Sequence, residues 1–427
     1  MHKGPLPGFR DFYPDELAQR AHVMGAWRRV ARRYSFQEYD GPPLEPLDLY
    51  TKKSGDEIVG QLYNFTDKGG RDVALRPEMT PTVARMVAAR ANALRKPVRW
   101  FSTPQLFRYE RQQKGRLREH FQLNADIFGE PSESADAELL ALAIDIMREL
   151  GLTSDDVVAR VSDRRLLNDY LAAVGVPSDR VGEVYAVVDK LERVPETASR
   201  ERLAALGLAD DAVAVVVGLP RVTLADFLAR LRAAGRYGEA AARIERYFAY
   251  LDQLLPSGAA WVRFDASIVR GLAYYSGIVF ELFDRRGEFR AICGGGRYDT
   301  LLQALGGVDM PALGFGMGDV VLGELLRARG LMPAPGGAVD YWVAGDDGAL
   351  LPRVMRVAAA LRGRERSVEF ALREQALGRQ LKSAAAAGAR HVVILRSERA
   401  ADGEATVKDL ADGRERTVRL EEWLLTA

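Results

Sequence analysis

The fold class turns on Phe107-Arg108-Tyr109-Glu110-Arg111-Gln112-Gln113-Lys114-Gly115-Arg116-Leu117-Arg118, continued by Phe121-Gln122-Leu123-Asn124-Ala125-Asp126-Ile127. In its second half, apolar Phe121, Leu123, Ala125 and Ile127 alternate with Gln122, Asn124 and Asp126, the period of a strand with one face on a core. The three polar residues therefore share the opposite face. In its first half, five cations fall within eleven residues starting at Arg108. Such crowding suits phosphates, although a charge run also reads as a solvated hairpin tip. Residues 98 to 128 as a whole predict strand, loop and strand.

Toward the N-terminus, apolar residues at Leu17, Ala21, Met24, Trp27, Ala31 and Tyr34 recur at spacings of three and four, which predicts one buried face of a long helix. Prolines 42, 43 and 46 interrupt the segment after this helix. Residues 135 to 150 predict a second, strongly apolar helix ending at Gly151, suited to the left-handed position past a helix end. From about 160 to 255 the chain is rich in Ala, Leu, Arg and Glu, so a mostly helical insertion is expected inside the sheet domain of residues 1–330. Strand character returns at Trp261. Met332-Pro333-Ala334-Pro335-Gly336-Gly337 reads as a linker, spanning 331–338. In a C-terminal domain of residues 339–427, Tyr341 to Val343, Ser367 to Leu372 and His391 to Leu395 are strand-like runs between helical stretches, the pattern of parallel βαβ units.

The 427 residues favour two or three domains on length alone. With 60 basic against 59 acidic residues, no global positive field announces a nucleic-acid partner, and any such site must be a local patch. Cys293 is the single cysteine and His2, His22, His120 and His391 lie far apart, which excludes a disulfide framework and any zinc spacing. No metal-ligating cluster is expected. The opening residues lack the apolar run of a secretory signal, and no window approaches a membrane span of about 18 apolar residues. These features fit a cytoplasmic protein with no membrane partner.

Three further segments carry chemistry. Leu75-Arg76-Pro77-Glu78-Met79-Thr80-Pro81-Thr82 restrains the backbone around a carboxylate and a hydroxyl that a rigid turn can aim at an ammonium group; a surface turn with a solvated glutamate is the competing reading. Ile268-Val269-Arg270-Gly271-Leu272-Ala273-Tyr274-Tyr275, with Val279-Phe280-Glu281, would bury an arginine and two tyrosines, and buried Arg270 requires either a structural carboxylate or an anionic substrate. Cys293-Gly294-Gly295-Gly296-Arg297-Tyr298-Asp299 permits close backbone approach, or is a strand-end turn. No Walker lysine motif, Rossmann spacing or Ser-His-Asp triad appears.

In this order the segments closely resemble the histidyl-tRNA synthetase family of class II aminoacyl-tRNA synthetases. The resemblance covers nearly the whole chain: Gly8-Phe9-Arg10-Asp11, class II motif 1 ending near Pro42, the Arg-Pro-Glu turn, the motif 2 hairpin, the arginine-glycine-leucine segment, the Gly-Gly-Arg-Tyr-Asp run and the C-terminal domain. It implies an α+β fold: a class II antiparallel sheet flanked by helices, a helical insertion, and a C-terminal α/β anticodon-binding domain.

The resemblance further implies roles for individual residues. Glu78, Thr80 and Gln122 would surround the histidine ammonium group, and Asp126, Tyr274 and Tyr275 the rest of the amino acid, with Asp126 and Tyr275 reading the imidazole. Arg108 would hold the α-phosphate of ATP, with Glu110, Arg116 and Arg118 at the outer phosphates and Mg2+ beside them. Arg270 would be the catalytic arginine between the carboxylate and the α-phosphate. Arg111 and Gln113 would approach the tRNA acceptor end. Expected partners are histidine, ATP, tRNA(His) and a second copy of the chain in a homodimer.

Three positions depart from the family pattern. Asp126 stands where a glutamate usually faces the imidazole, Ala273 replaces a frequent aspartate, and Gly314-Phe315-Gly316-Met317-Gly318-Asp319-Val320-Val321 lacks the arginine of class II motif 3. Two other functions share this fold. One is a histidine-binding regulatory subunit of ATP phosphoribosyltransferase, which tends to lose the catalytic arginine, the basic motif 2 loop and the C-terminal domain, all present here. The other is a module sensing uncharged tRNA beside a kinase, whose motifs are absent from this sequence.

Overall fold

The structure, a computed structural model, describes residues 4–51, 59–110, 115–269, 274–334, 339–399 and 402–426. Arg111, Gln113, Arg270 and Ala273 lie outside the described residues, as do Pro335, Gly336 and Gly337 of the expected linker. The chain divides into two compact units, Met1–Asp11 with Gln19–Pro333, and Phe12–Ala18 with Ala334–Ala427.

Strands of the first unit are β1 (Gln37–Glu38), β2 (Leu44–Pro46), β3 (Tyr63–Thr66), β4 (Asp72–Leu75), β5 (Val98–Ser102), β6 (Gln105–Phe107), β7 (Glu119–Phe128), β8 (Val157–Asp163), β9 (Val262–Phe264), β10 (Ile278–Asp284), β11 (Cys293–Arg297) and β12 (Ala312–Gly318). Among the described residues the main sheet runs β1-β5-β7-β12-β11-β10-β8-β9, with β6 also paired to β7, and β2-β4-β3 form a small separate sheet. Only the edge pairs β1 with β5 and β8 with β9 are parallel, so the sheet is antiparallel through its centre. The fold is α+β, with helices flanking this sheet.

Leu123, Ala125 and Ile127 of β7 enter the main core, where the helix Glu133–Glu149 covers the sheet with almost every apolar side chain buried. That helix ends as its sequence predicts: Gly151 has φ +82°, a left-handed conformation open to glycine at little cost. The helix Pro14–Arg33 differs from expectation. Its buried face runs through Val23, Ala26, Trp27, Val30 and Ala31, while Leu17 and Ala21 are exposed. A three-and-four spacing fits two adjoining faces of one helix, and packing against the sheet selects between them.

Between β8 and β9 the described chain is helical, as its composition predicts. These helices share the sheet's core: helix Glu239–Leu254 packs on helix Glu133–Glu149, and Tyr170 stacks on Phe227 with ring centroids 3.7 Å apart.

In the second unit, β13 (Tyr341–Gly345), β14 (Val368–Phe370) and β15 (His391–Leu395) form the expected parallel trio, with β13 central. Two antiparallel strands, β16 (Glu404–Asp409) and β17 (Glu415–Arg419), extend the sheet and escaped sequence reasoning. Edge strand β17 is largely exposed and polar, and such a strand lacks the apolar alternation by which strands are recognised.

Candidate active site

The polar face of β7 floors a cleft lined by Glu78, Thr80, Arg108, Gln122, Asn124, Tyr274, Tyr275, Tyr298 and the backbone around Gly294 and Gly314–Gly316. The opening depends on glycine. A Cβ at Gly314, opposite Asp126 in the next strand, would overlap Asp126 Oδ1 and stand 2.8 Å from the Tyr298 hydroxyl. One at Gly316 would stand 2.8 to 2.9 Å from the Gln122 carboxamide. Both are closer than van der Waals contact allows, so β12 keeps this face bare while Phe315 and Met317, between them, fill the core. We expect Gly316→Ala to displace Gln122 and weaken binding of an ammonium-bearing ligand about tenfold, the cost of one hydrogen bond to a charged group. Unchanged binding in a folded variant would remove Gln122 from the site.

The Arg-Pro-Glu segment is no solvated surface turn. Arg76, 5% exposed, donates from Nη1 to Asp40 Oδ1 at 2.9 Å and to the Gly41 carbonyl at 2.7 Å, and from Nε to the Gln105 carbonyl at 3.0 Å. It thereby ties the turn to the segment before Pro42. Glu78 is 4% exposed, and the Tyr274 hydroxyl donates to its Oε2 at 3.4 Å. A buried carboxylate beside the hydroxyls of Thr80 and Tyr274 and the amide of Gln122 suits an ammonium group.

Deeper in the cleft, Tyr298 donates to Asp126 Oδ1, while Asp126 Oδ2 and Asn124 Oδ1 are buried with no hydrogen-bond partner among the described residues. Burial raises the Asp126 carboxyl to about 7, and the Tyr298 hydrogen bond pulls back against that shift. Asp126 thus lies behind the cleft wall and presents Tyr298 to it. A polar ring carrying N–H groups would meet that hydroxyl, with Asn124 beside it.

At the other end, Arg108 donates to the Pro77 carbonyl at 2.9 Å, and Glu110 accepts an ion pair from Arg116 at 3.0 Å. The Arg118 guanidinium lies 4.1 Å from the Tyr109 ring centroid. Three arginines on one hairpin can hold a polyanion. Arg10 fixes the base of the hairpin, pairing with Glu119 at 2.6 Å and Asp319 at 3.0 Å. His120, in the same strand as Gln122, is held neutral: burial, then Arg108 and Arg10, lower it to about 3.

The structure therefore gathers Glu78, Thr80, Arg108, Gln122, Tyr274 and Tyr275 in one cleft, with Arg116 and Arg118 on the adjoining hairpin and Asp126 just beneath. Sequence reasoning placed Asn124 on the polar face without giving it a role, and it assigned neither Tyr298 to the cleft nor Arg10 as a support. A signal existed in the strict alternation Gly314, Gly316, Gly318 around Phe315 and Met317, which marks a strand face kept empty. Cys293–Arg297, for which a strand-end turn was one reading, is a wholly buried central strand.

The histidyl-tRNA synthetase family model matches residues 8–318, a span holding every residue of this cleft. The chain belongs to the histidyl-tRNA synthetase family. An anticodon binding domain model matches residues 339–425. Among curated relatives in the family, the histidine--tRNA ligase of Opitutus terrae is 47% identical over 98% of this chain and 96% of its own. The chloroplastic/mitochondrial histidine--tRNA ligase of Arabidopsis thaliana is 41% identical over 97% of this chain and 85% of its own. The crystal structure of histidyl-tRNA synthetase from Nostoc superposes with a TM-score of 0.86, at 22% identity, over 100% of this chain and 99% of that one, so the fold is the family's.

Proposed function

We propose that the chain is a histidine–tRNA ligase, which joins histidine to ATP as histidyl-adenylate, releasing pyrophosphate, and then passes histidine to the 3′-terminal ribose of tRNA(His). The observation that carries this reading is one cleft with an ammonium-binding end at Glu78, a polar floor at Tyr298 and Asn124, and a phosphate-binding end at Arg108. Glu78, Thr80 and Gln122 hold the ammonium group. Tyr298, oriented by Asp126, reads the imidazole together with Tyr275. Arg108 holds the α-phosphate, Arg116 and Arg118 the outer phosphates. Arg270 bridges carboxylate and α-phosphate as charge develops. The histidine carboxylate attacks the α-phosphorus, and the bond to the pyrophosphate oxygen breaks. Positioning and charge stabilisation suffice for this transfer, with no protein nucleophile.

Magnesium enters as MgATP. Mg2+ usually keeps several waters and would be held by the phosphates of ATP together with one or two carboxylates. The adenylate is then attacked by the tRNA ribose hydroxyl, with Arg111 and Gln113 guiding the acceptor end and residues 339–427 receiving the anticodon. The working form is a homodimer in the cytoplasm. Leu44 and Phe65, exposed on the small β2-β4-β3 sheet, offer apolar surface for a partner copy.

The deciding experiment is histidine-dependent exchange of pyrophosphate into ATP, followed by charging of tRNA(His). Histidine binding without exchange would instead identify a regulator. Replacing Arg111 and Gln113 together with alanine should reduce tRNA charging about tenfold more than pyrophosphate exchange, the scale of one or two lost contacts to a phosphate backbone. Equal losses in the two assays would contradict the division of labour.

A further inference from the structure

Past Gly318 the chain enters the helix Asp319–Ala328, whose first turn stands against the motif 2 hairpin at Gly115. This turn carries Asp319, Val320 and Val321, and Asp319 is engaged by Arg10 at 3.0 Å and by the Phe121 N–H at 2.9 Å. The wall thus brings a carboxylate and two valines to the edge of a site where a polyanion must lie. Arg327, further along the helix, donates to Gln19 at 3.3 Å.

A cation reaches this wall from another element. Exposed Arg290, in the loop between β10 and β11, has its Cδ 4.0 Å from the point a Gly115 Cβ would occupy. Val321 Cγ2 is 3.3 Å and Glu324 Oε2 4.0 Å from that same point. Gly115 has φ +76°, and any side chain there would intrude between the hairpin and this wall. Hairpin, helix and Arg290 therefore converge beside Arg116.

We propose that Arg290 is a nucleotide-binding residue, gripping the β- and γ-phosphates of ATP, and the pyrophosphate they become, from a second wall facing the hairpin arginines. This rests on the reading of the cleft as an ATP site. A planar guanidinium fork suits two phosphate oxygens, and an arginine fixed on a separate element adds a direction of grip that one hairpin lacks. Arg290 supplies, from the β10–β11 loop, the charge that the helix turn at Val321 does not.

The test uses the full chain in pyrophosphate exchange. Arg290→Ala should raise the KM for both ATP and pyrophosphate about ten- to a hundredfold, the loss expected for a charge-assisted contact, and leave histidine KM and the melting temperature unchanged. Adding Val321→Arg to that variant restores a guanidinium to the wall beside the hairpin and should recover ATP affinity. Unchanged ATP and pyrophosphate KM in Arg290→Ala overturns the assignment. So does a histidine KM that rises as much as that of ATP, or a double variant no better than the single one. Absence of exchange in the unaltered protein would instead sink the ligase reading itself.

Discussion

Arg270→Ala is expected to fold and bind tRNA normally yet lose about a hundred- to a thousandfold of its adenylation rate, the usual consequence of removing one preorganised donor, about 2.7 to 4 kcal/mol. The proposed task is electrostatic. As the histidine carboxylate attacks, its charge must approach that of the α-phosphate, and charge then builds on the departing pyrophosphate. A guanidinium between the two anions stabilises that arrangement more than the ground state, which is the condition for raising the rate and not only the affinity. Lysine should rescue poorly, because one ammonium cannot present two parallel N–H donors to two anions. Single-turnover adenylate formation at saturating ATP and histidine measures the effect, with circular dichroism as the folding control. Near-normal adenylation in a folded variant would return Arg270 to its other reading, a structural ion pair.

The second large effect concerns stability. Arg297 is fully buried and every nitrogen of its guanidinium donates: Nε to both Asp136 oxygens at 3.1 Å, Nη1 to the Glu130 carbonyl at 3.0 Å and Asp299 at 3.1 Å, Nη2 to the Ser132 carbonyl at 3.1 Å and Asp136 at 2.5 Å. Burial nevertheless raises Asp136 to about 6, with Arg297 the main force opposing that shift. Arg297→Met should therefore cost about 3 to 5 kcal/mol, because it strands a buried carboxylate. The double variant Arg297→Met with Asp136→Leu should recover much of that loss, since the stranded charge is gone. The midpoint of denaturant unfolding reads both. A loss under about 1 kcal/mol for the single variant would show that the pair contributes nothing beyond its packing. Tyr298 follows Arg297 directly, so the double variant also asks whether the ion pair positions the site: a raised histidine KM in a stable protein would say that it does.

Much of the site was legible because its signals are local. The alternation from Phe121 to Ile127 required only the two-residue period of a strand, and it assigned Gln122, Asn124 and Asp126 to one face before any partner strand was known. The hairpin cations and the Arg-Pro-Glu turn are contiguous too. Their meaning was less secure, since a solvated tip or surface turn would have the same sequence; burial of Glu78 and of Arg76 decided the turn.

Short-range spacing was enough for the strand and helix types of the strongly periodic segments and the parallel trio of the C-terminal domain, while the resemblance carried by the ordered motifs pointed to the family and to most of the cleft's polar side chains. Three things needed the folded chain: which face of the helix Pro14–Arg33 is buried, why β12 carries glycine at every second position, and what Arg297 and Tyr298 do. Arg297 meets Asp136 across 161 residues of chain, and Tyr298 meets Asp126 across 172. A guanidinium or phenol has the same local signature whether solvated or buried. Its partner, and so its role, is assigned by the long-range strand pairing that brings distant residues within hydrogen-bond reach, where removal from water makes each such pairing obligatory.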